Sequence, residues 1–537
     1  MDAKKVRGKI KRNYVLAEEI IKRWYESEHF IETGDVRIGT TEELLKVIHG
    51  EELLCRELGK KLPGMQSIEV CLTIYGECSY GKYKKYHQSG DLHLYAAEAV
   101  RILLRGISPE RERQIIFSER VFELLEHIRI MVEAKEIAQM KEVGFLEDAK
   151  EIYLTGGYFS FSKRDARIME ICGRYYSGKG LRLRMGDKTS ELLYRDLKCK
   201  NLLESEFVIS LQKLLSGMAR GRDISFFKGT YYEFFPSIHD CDSTYKDFLE
   251  ILLEKIDFLI TFEMLLIKQY GLLYSMKNYS SDAMARLFRC PFVIPNKIVK
   301  ECLVFEPAWK RWHVTDRNEI KLLKKPVIRS YDGRCMTSFL LSGDAVNAWL
   351  EDAIYKESHS KTWKMQICQK IEALFEQEVV DYMRKHKFIA GRIEENGVWH
   401  NGIHADKNLG IVLPGEVDVF AVNDDRKKVY LIECKCIHDV LTSEGNCYQK
   451  FKNINKKLNG TYVQKIKKKR QVIEKYIAKQ LNGYLLSTVI LTDIDFPVYL
   501  LKETVNAWEK DIAICDFAAL KESVEKNTFP KSCVQHI

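Results

Sequence analysis

Two short apolar runs, Val417-Asp418-Val419-Phe420-Ala421-Val422 and Val429-Tyr430-Leu431-Ile432-Glu433-Cys434-Lys435, constrain this chain more than any other feature. Both are rich in β-branched and aromatic residues. Pro414, Gly415 and Asn423 bound the first, and the polar break Asp424-Asp425-Arg426-Lys427 separates it from the second, which is the signature of two paired strands. A four-residue loop over that break pairs Asn423 with Lys428 and sets Asp418 opposite Glu433. Side chains alternate along a strand, so Glu416, Asp418, Phe420 and Val422 share one face, and Val429, Leu431, Glu433 and Lys435 form the facing row. Three acids and a lysine therefore gather where a core sheet should be apolar. Clustered carboxylates repel one another and take up protons unless a cation compensates them. Hard oxygen donors favour a divalent ion, Mg²⁺ first and Mn²⁺ second. The competing reading is a surface hairpin whose charges face water. Against it stands Val429-Tyr430-Leu431-Ile432, which reads as a buried strand, where an unpaired Glu or Lys is costly.

The Asp418, Glu433-x-Lys435 arrangement resembles the PD-(D/E)XK nuclease superfamily, which includes many restriction enzymes and Holliday-junction resolvases. The resemblance implies that Asp418 and Glu433 hold the metal. It also implies that Lys435 positions or activates the attacking water and stabilises charge developing on the phosphorane. Pro414 lies four residues before Asp418 instead of beside it, with Gly415-Glu416 filling the place. In the superfamily a helix before the first strand supplies a further carboxylate. Lys361 to His386 resembles that helix, with the stripe Ile367, Ile371, Leu374, Phe375, Val379, Tyr382 and Met383. Glu376, at the border of the stripe beside Met383, is the expected third acid, with Glu372 and Glu378 as rivals.

After Lys435 the chain turns basic: eleven Lys or Arg stand against the single acid Glu474 between Lys450 and Lys479. Tyr462 to Lys479 has helical spacing, with Val463, Ile466, Val472, Ile473, Tyr476 and Ile477 available for an inner face. Lys465, Lys468 and Lys469, together with Arg470, are expected to face outwards and bind a nucleic-acid backbone through its phosphates. Gln464 and Gln471 are further candidates to approach the site. Strands at 487–492 and 511–516 and a helix from Phe517 to Val524 complete the order expected from the resemblance, which covers about 360 to 527.

A length of 537 residues suggests three or four domains. The expected division is 1–147, mainly helical; 148–342, mixed and mostly helical; and 343–537, the nuclease-like domain. Tyr14 to Tyr25 and Val121 to Val132 carry helical spacing, whereas Glu69 to Ile74 looks strand-like. The stretch 76–90, with Tyr80, Lys82, Tyr83, Lys84, Lys85, Tyr86 and His87, could stack on bases or be an amphipathic surface loop. Ile152 to Phe161 suggests a strand pair around Gly156-Gly157. Phe248 to Met276 reads as a buried helix, broken by Glu254, Lys255, Asp257 and Glu263 and so unlike a membrane span. His239-Asp240-Cys241-Asp242 reads as a helix cap. His400 and His404 read as loop residues outside the site.

The absence of GxxxxGK[ST] argues against an NTPase motor. Fifteen Cys without a CxxC pair, and no apolar run approaching 18 residues, fit a cytoplasmic, reduced protein that does not enter a membrane. A net charge of +9 permits a polyanionic partner without requiring one.

The expected fold is thus an α/β C-terminal nuclease domain, a central mixed sheet flanked by helices, behind a large, mainly α-helical N-terminal region that regulates, oligomerises or recognises targets. The expected activity is Mg²⁺-dependent endonucleolytic hydrolysis of DNA. By analogy alone, such domains serve bacterial defence against phage or plasmid DNA, as homo-oligomers or with a partner protein. The alternatives are a repair or recombination nuclease for branched or damaged DNA, and a non-catalytic nucleic-acid-binding scaffold. Intact Asp418, Glu433 and Lys435 argue against the scaffold.

Overall fold

The computed structural model describes residues 3–26, 35–79, 92–106, 117–146, 152–179, 361–402, 406–437, 447–493, 496, 498–500, 511–533 and 535–536, with short stretches between 255 and 349. The expected domain boundaries at 147 and 342 lie outside the described residues. So do the aromatic and basic positions from Tyr80 to His87, His239 to Asp242, His404 and nearly all of Phe248 to Met276. The chain divides into two compact units, one holding the N-terminal helices and the other the C-terminal sheet.

The first unit contains α1 (Ala3–Glu26), β1 (Val36–Ile38), α2 (Thr41–Lys60), α3 (Gly64–Ser79), α4 (Leu92–Gly106), α5 (Phe117–Glu142), β2 (Ile152–Thr155) and β3 (Tyr158–Ser160). A capping box starts α2: the Glu43 amide donates to Thr40 Oγ1 at 3.2 Å and the Thr40 amide donates to Glu43 Oε2 at 2.9 Å. The expected strand at Glu69 to Ile74 is instead the middle of α3. Ile68, Val70, Cys71, Leu72, Ile74 and Tyr75 are all buried there, so the helix is apolar nearly all round and its run imitates a strand. The expected strand pair at 152–161 is β2 and β3, antiparallel, with Thr155 opposite Tyr158. Gly156 and Gly157 between them both have positive φ, at 58° and 84°, as a two-residue hairpin turn requires. α6 (Lys163–Lys179) follows. Short strands β4 (Tyr279–Ser280), β5 (Val304–Phe305), β6 (Val327–Arg329) and β7 (Arg334–Met336) form a sheet in the order β4-β7-β6-β5.

The C-terminal sheet is built from β8 (Ile389–Ile393), β9 (Val398–His400), β10 (Lys407–Asn408), β11 (Val417–Asn423), β12 (Lys428–Lys435), β13 (Leu485–Thr492) and β15 (Ile512–Asp516). Its order is β10-β9-β8-β11-β12-β13-β15. Pairing is antiparallel as far as β12, then parallel from β12 through β13 to β15. It is a mixed sheet, as the family resemblance implied. α7 (Lys361–Lys385) precedes β8, and α8 (Cys447–Lys456), a π-helical turn at Lys457–Tyr462 and α9 (Val463–Gln480) join β12 to β13. α10 (Phe517–Lys526) follows β15, its first turn capped by Asp516, whose Oδ1 accepts the Ala519 amide at 2.9 Å. Two further short strands, β14 (Tyr499–Leu500) and β16 (Gln535–His536), pair in parallel.

One face of the sheet packs on α7 and α10 through Val379, Val380, Met383, Val419, Ala421, Tyr430, Ile432, Val489, Leu491, Leu520 and Val524. Among the described side chains of α7, the stripe differs from expectation at Leu374 and Val380. Leu374 is 45% exposed, and Val380 is buried instead. The opposite face, carrying Phe420, Leu431 and Glu433, is the one that Lys469 of α9 reaches. No helix among the described residues is long and apolar enough to cross a membrane.

Candidate active site

The hairpin register is the expected one, from Asn423 opposite Lys428 to Val419 opposite Ile432. Its turn is closed by Asn423, whose Oδ1 accepts the Arg426 amide at 2.8 Å. One step further sets Asp418 beside Glu433. On the other side of β11, the pairing with β8 is interrupted by a bulge between Val417 and Phe420. Bulges re-aim side chains, and this one falls on Asp418. Its Oδ2 accepts the Cys434 amide at 2.8 Å and the Lys435 ammonium at 3.2 Å.

Lys435 Nζ lies between the two acids. It is 3.4 Å from Glu433 Oε2, donates to the Cys434 carbonyl at 2.8 Å, and sits 5.7 Å from the centre of the Tyr462 ring. Tyr462 ends the π-helical turn, an irregularity often found where a helix serves a site. Burial pulls the Lys435 pKa down, but Asp418 and Glu433 outweigh it and hold the ammonium above the ordinary lysine range. Glu433 is 6% exposed, and burial together with the charge of Asp418 pushes its pKa up against the pull of Lys435 and Lys469.

Glu376, the expected third acid, feels the charge of Asp418 but does not close up with Asp418 and Glu433 into a group of three able to hold a metal. It is half-buried on α7, and burial, then the nearby charge of Asp418, raise its pKa to about 7. Its rivals Glu372 and Glu378 are exposed. Glu416 does not join the row: its carboxylate is half exposed and pairs with Arg392 at 2.5 Å.

Lys469 departs most from expectation. It does not face outwards with Lys465 and Lys468, which are exposed, but is 6% exposed and points into the site. Its ammonium donates to Glu433 Oε1 and to the Glu416 carbonyl. The signal was present in the sequence, since Ile466, Lys469, Ile473 and Tyr476 follow helical spacing and put the lysine inside the apolar stripe. Arg470 is taken up by Glu474 at 2.7 Å and Asp511 at 3.4 Å, so of the expected phosphate-binding set Lys465 and Lys468 remain on the open face. Gln464 and Gln471 are exposed and stay out of the site. His400 also lies apart, between Glu394 at 2.9 Å and Asp406 at 3.0 Å, which raise its pKa.

Among the described residues no group of three or more His, Cys, Asp or Glu is gathered closely enough to hold a metal ion. A magnesium site does not demand such a group, because Mg²⁺ keeps several waters and is commonly held by one or two carboxylates plus substrate phosphates. Asp418 and Glu433 supply two such carboxylates, and both already touch a cation in the form of an ammonium group. The donor chemistry therefore suits a hard divalent ion. Comparisons with known protein families, with curated proteins and with solved structures each found no match.

Proposed function

We propose that the protein is a Mg²⁺-dependent nuclease of the PD-(D/E)XK type that hydrolyses phosphodiester bonds in DNA. One observation carries this reading: two carboxylates from neighbouring strands, Asp418 and Glu433, share the ammonium of Lys435. A fold stabilised only by apolar packing has no use for that arrangement, because each charge costs desolvation. Asp418 and Glu433 would hold the metal, whose chemistry there would be to supply a water of lowered pKa and positive charge beside the scissile phosphate.

The chain's own residues do the rest. Lys435 stays charged at neutral pH because its two acids hold the proton on, so it can stabilise a nonbridging oxygen as negative charge develops there. Glu376 exchanges its proton near neutrality, where a carboxyl works best as an acid or base. The exposed Lys465 and Lys468 provide sequence-independent contacts to the backbone.

The test is plasmid cleavage by the full chain. Mg²⁺ should support nicking or linearisation, and EDTA should stop it. Asp418→Ala and Lys435→Ala should each reduce the rate on the order of 10²–10³-fold. Cleavage by the variants at the wild-type rate would remove the assignment. Cutting of four-way junctions but not of linear duplex would select a branched-DNA enzyme, and binding without cutting would select a scaffold.

A further inference from the structure

Among the described residues of the basic run from 450 to 479, Lys469 is the only lysine or arginine that is buried. The local backbone accommodates it. Gly415 has φ +113°, and a Cβ there would stand 3.4 Å from Lys469 Cε and 3.9 Å from Nζ. A Cβ at 415 would thus only touch the lysine at van der Waals distance, while the positive φ would strain any side chain there.

Among the groups in direct ion-pair contact, charge is balanced without a metal. Asp418 and Glu433 are the two anions, Lys435 and Lys469 the two cations in contact with them. Adding a divalent ion to a neutral, largely buried cluster leaves an excess of two positive charges in a medium that screens poorly. The cluster accommodates the ion at lower cost if one ammonium leaves. Lys435 is the harder to move, since it is anchored by Asp418, Glu433 and the Cys434 carbonyl and lies beside Tyr462. Lys469 is held by one carboxylate and one carbonyl at the end of a flexible four-carbon stem, next to a residue without a side chain.

We propose that Lys469 is the resident counter-cation of the site: it holds Glu433 in the metal-free protein, and a divalent ion binds by displacing it. Metal binding is then an exchange of one cation for another, and Lys469 is a positioning residue that raises the metal concentration needed to arm the site. The proposal rests on the metal-site reading above and deepens it.

Calorimetric titration of the full chain with Mn²⁺ tests it without reference to cleavage. Asp418→Asn should abolish binding. Lys469→Met and Lys469→Gln should bind Mn²⁺ at least tenfold more tightly than wild type, whereas Lys469→Arg, which keeps the charge, should stay within about threefold. Lys469→Gln also retains a donor for the Glu416 carbonyl, so it carries the test if the methionine variant does not fold. A second measurement uses the wild type alone: amine acetylation read by mass spectrometry should show Lys469 labelled several-fold faster with Mn²⁺ than without. If the uncharged variants bind no more tightly and the labelling does not change while Asp418→Asn still loses binding, the counter-cation role is overturned and the metal site stands. If Asp418→Asn binds as wild type does, the metal-site reading itself falls.

Discussion

Both units of the molecule bury charge, and they do so on opposite principles. In the N-terminal helices most of the neutralising acids lie close by on the same helix, although Arg101 also approaches Glu52 of α2 at 3.9 Å and Lys135 of α5 lies 3.7 Å from Glu98 of α4. Arg129 lies 3.2 Å from Glu126 and 3.2 Å from Glu133, one turn away on either side, and Arg101 pairs with Glu98 three residues before it. The same-helix pairs follow from helical geometry alone. In the C-terminal hairpin, Asp418 and Glu433 come from different strands, are pressed together and divide one ammonium, while Glu433 also draws Lys469 from 36 positions away. The same-helix pairs neutralise charge as it is buried; the hairpin brings two carboxylates together, and burial first, then the charge of Asp418, raises the proton affinity of Glu433 and of Glu376 on α7. Buried charge alone therefore does not mark a site. Like charge concentrated by tertiary structure, where a different residue would have packed more cheaply, does.

The sharpest way to break that distinction is to make one substitution in both places. Glu433→Gln should lower plasmid cleavage on the order of 10²–10³-fold. Glu126→Gln should leave the rate per folded molecule within about twofold. A large catalytic loss from Glu126→Gln would mean that the helical network also serves the chemistry. The converse experiment removes a cation. Arg129→Met removes the buried cation 3.2 Å from the buried Glu126 and should destabilise the protein by about 3–5 kcal/mol, read from chemical denaturation, because breaking a buried ion pair from one side is costly.

The hairpin was legible in the sequence because two codes agree there. Period-two alternation fixed the faces, and Asn423 with the four polar residues after it fixed the register, so Asp418, Glu433 and Lys435 fell into place without tertiary information. Legibility ended where one-dimensional patterns become ambiguous. The run from Glu69 to Ile74 is apolar on consecutive positions because α3 is buried on most sides, and such a run does not distinguish helix from strand. Lys469 has the residue type of a solvated lysine, yet its spacing from Ile466 and Ile473 puts it in the inner stripe, where spacing outweighs type. Glu416 failed for another reason: strand parity carried it into the acidic row, but Arg392 on β8 offered it a partner outside. Cross-strand competition of this kind depends on which strands become neighbours.

A smaller effect sharpens the comparison through pH. In the unfolded chain Glu376 ionises near 4.5, and in the folded protein near 7. Between those values the native state holds a proton that the unfolded state has lost, so stability falls as pH rises from 4.5 to 7 and this contribution is constant above. Discounted for solvent screening of a partly exposed carboxyl, the loss is about 1–2 kcal/mol. Measured in EDTA by denaturant unfolding at pH 5 and pH 8, Glu376→Gln should flatten that part of the profile and be the more stable protein at pH 8. A variant that parallels wild type across the range would show that neither burial nor Asp418 raises the proton affinity of Glu376.

The smallest expected effect separates charge from polarity within the same sheet. Thr488, fully buried on β13 opposite Leu431, has a hydroxyl with no hydrogen-bond partner among the described residues. Burying an unpaired hydroxyl costs free energy that an apolar group of the same shape does not incur. Thr488→Val should therefore stabilise the protein by about 1 kcal/mol, seen as a higher denaturant midpoint at unchanged slope, with cleavage unaffected. The charged cluster on the same face behaves in the opposite way, because Glu433→Gln leaves Lys469 buried without its carboxylate. If Thr488→Val destabilised instead, the hydroxyl would have a bound water as its partner, and the sheet beside Glu433 would be wetter than an apolar core.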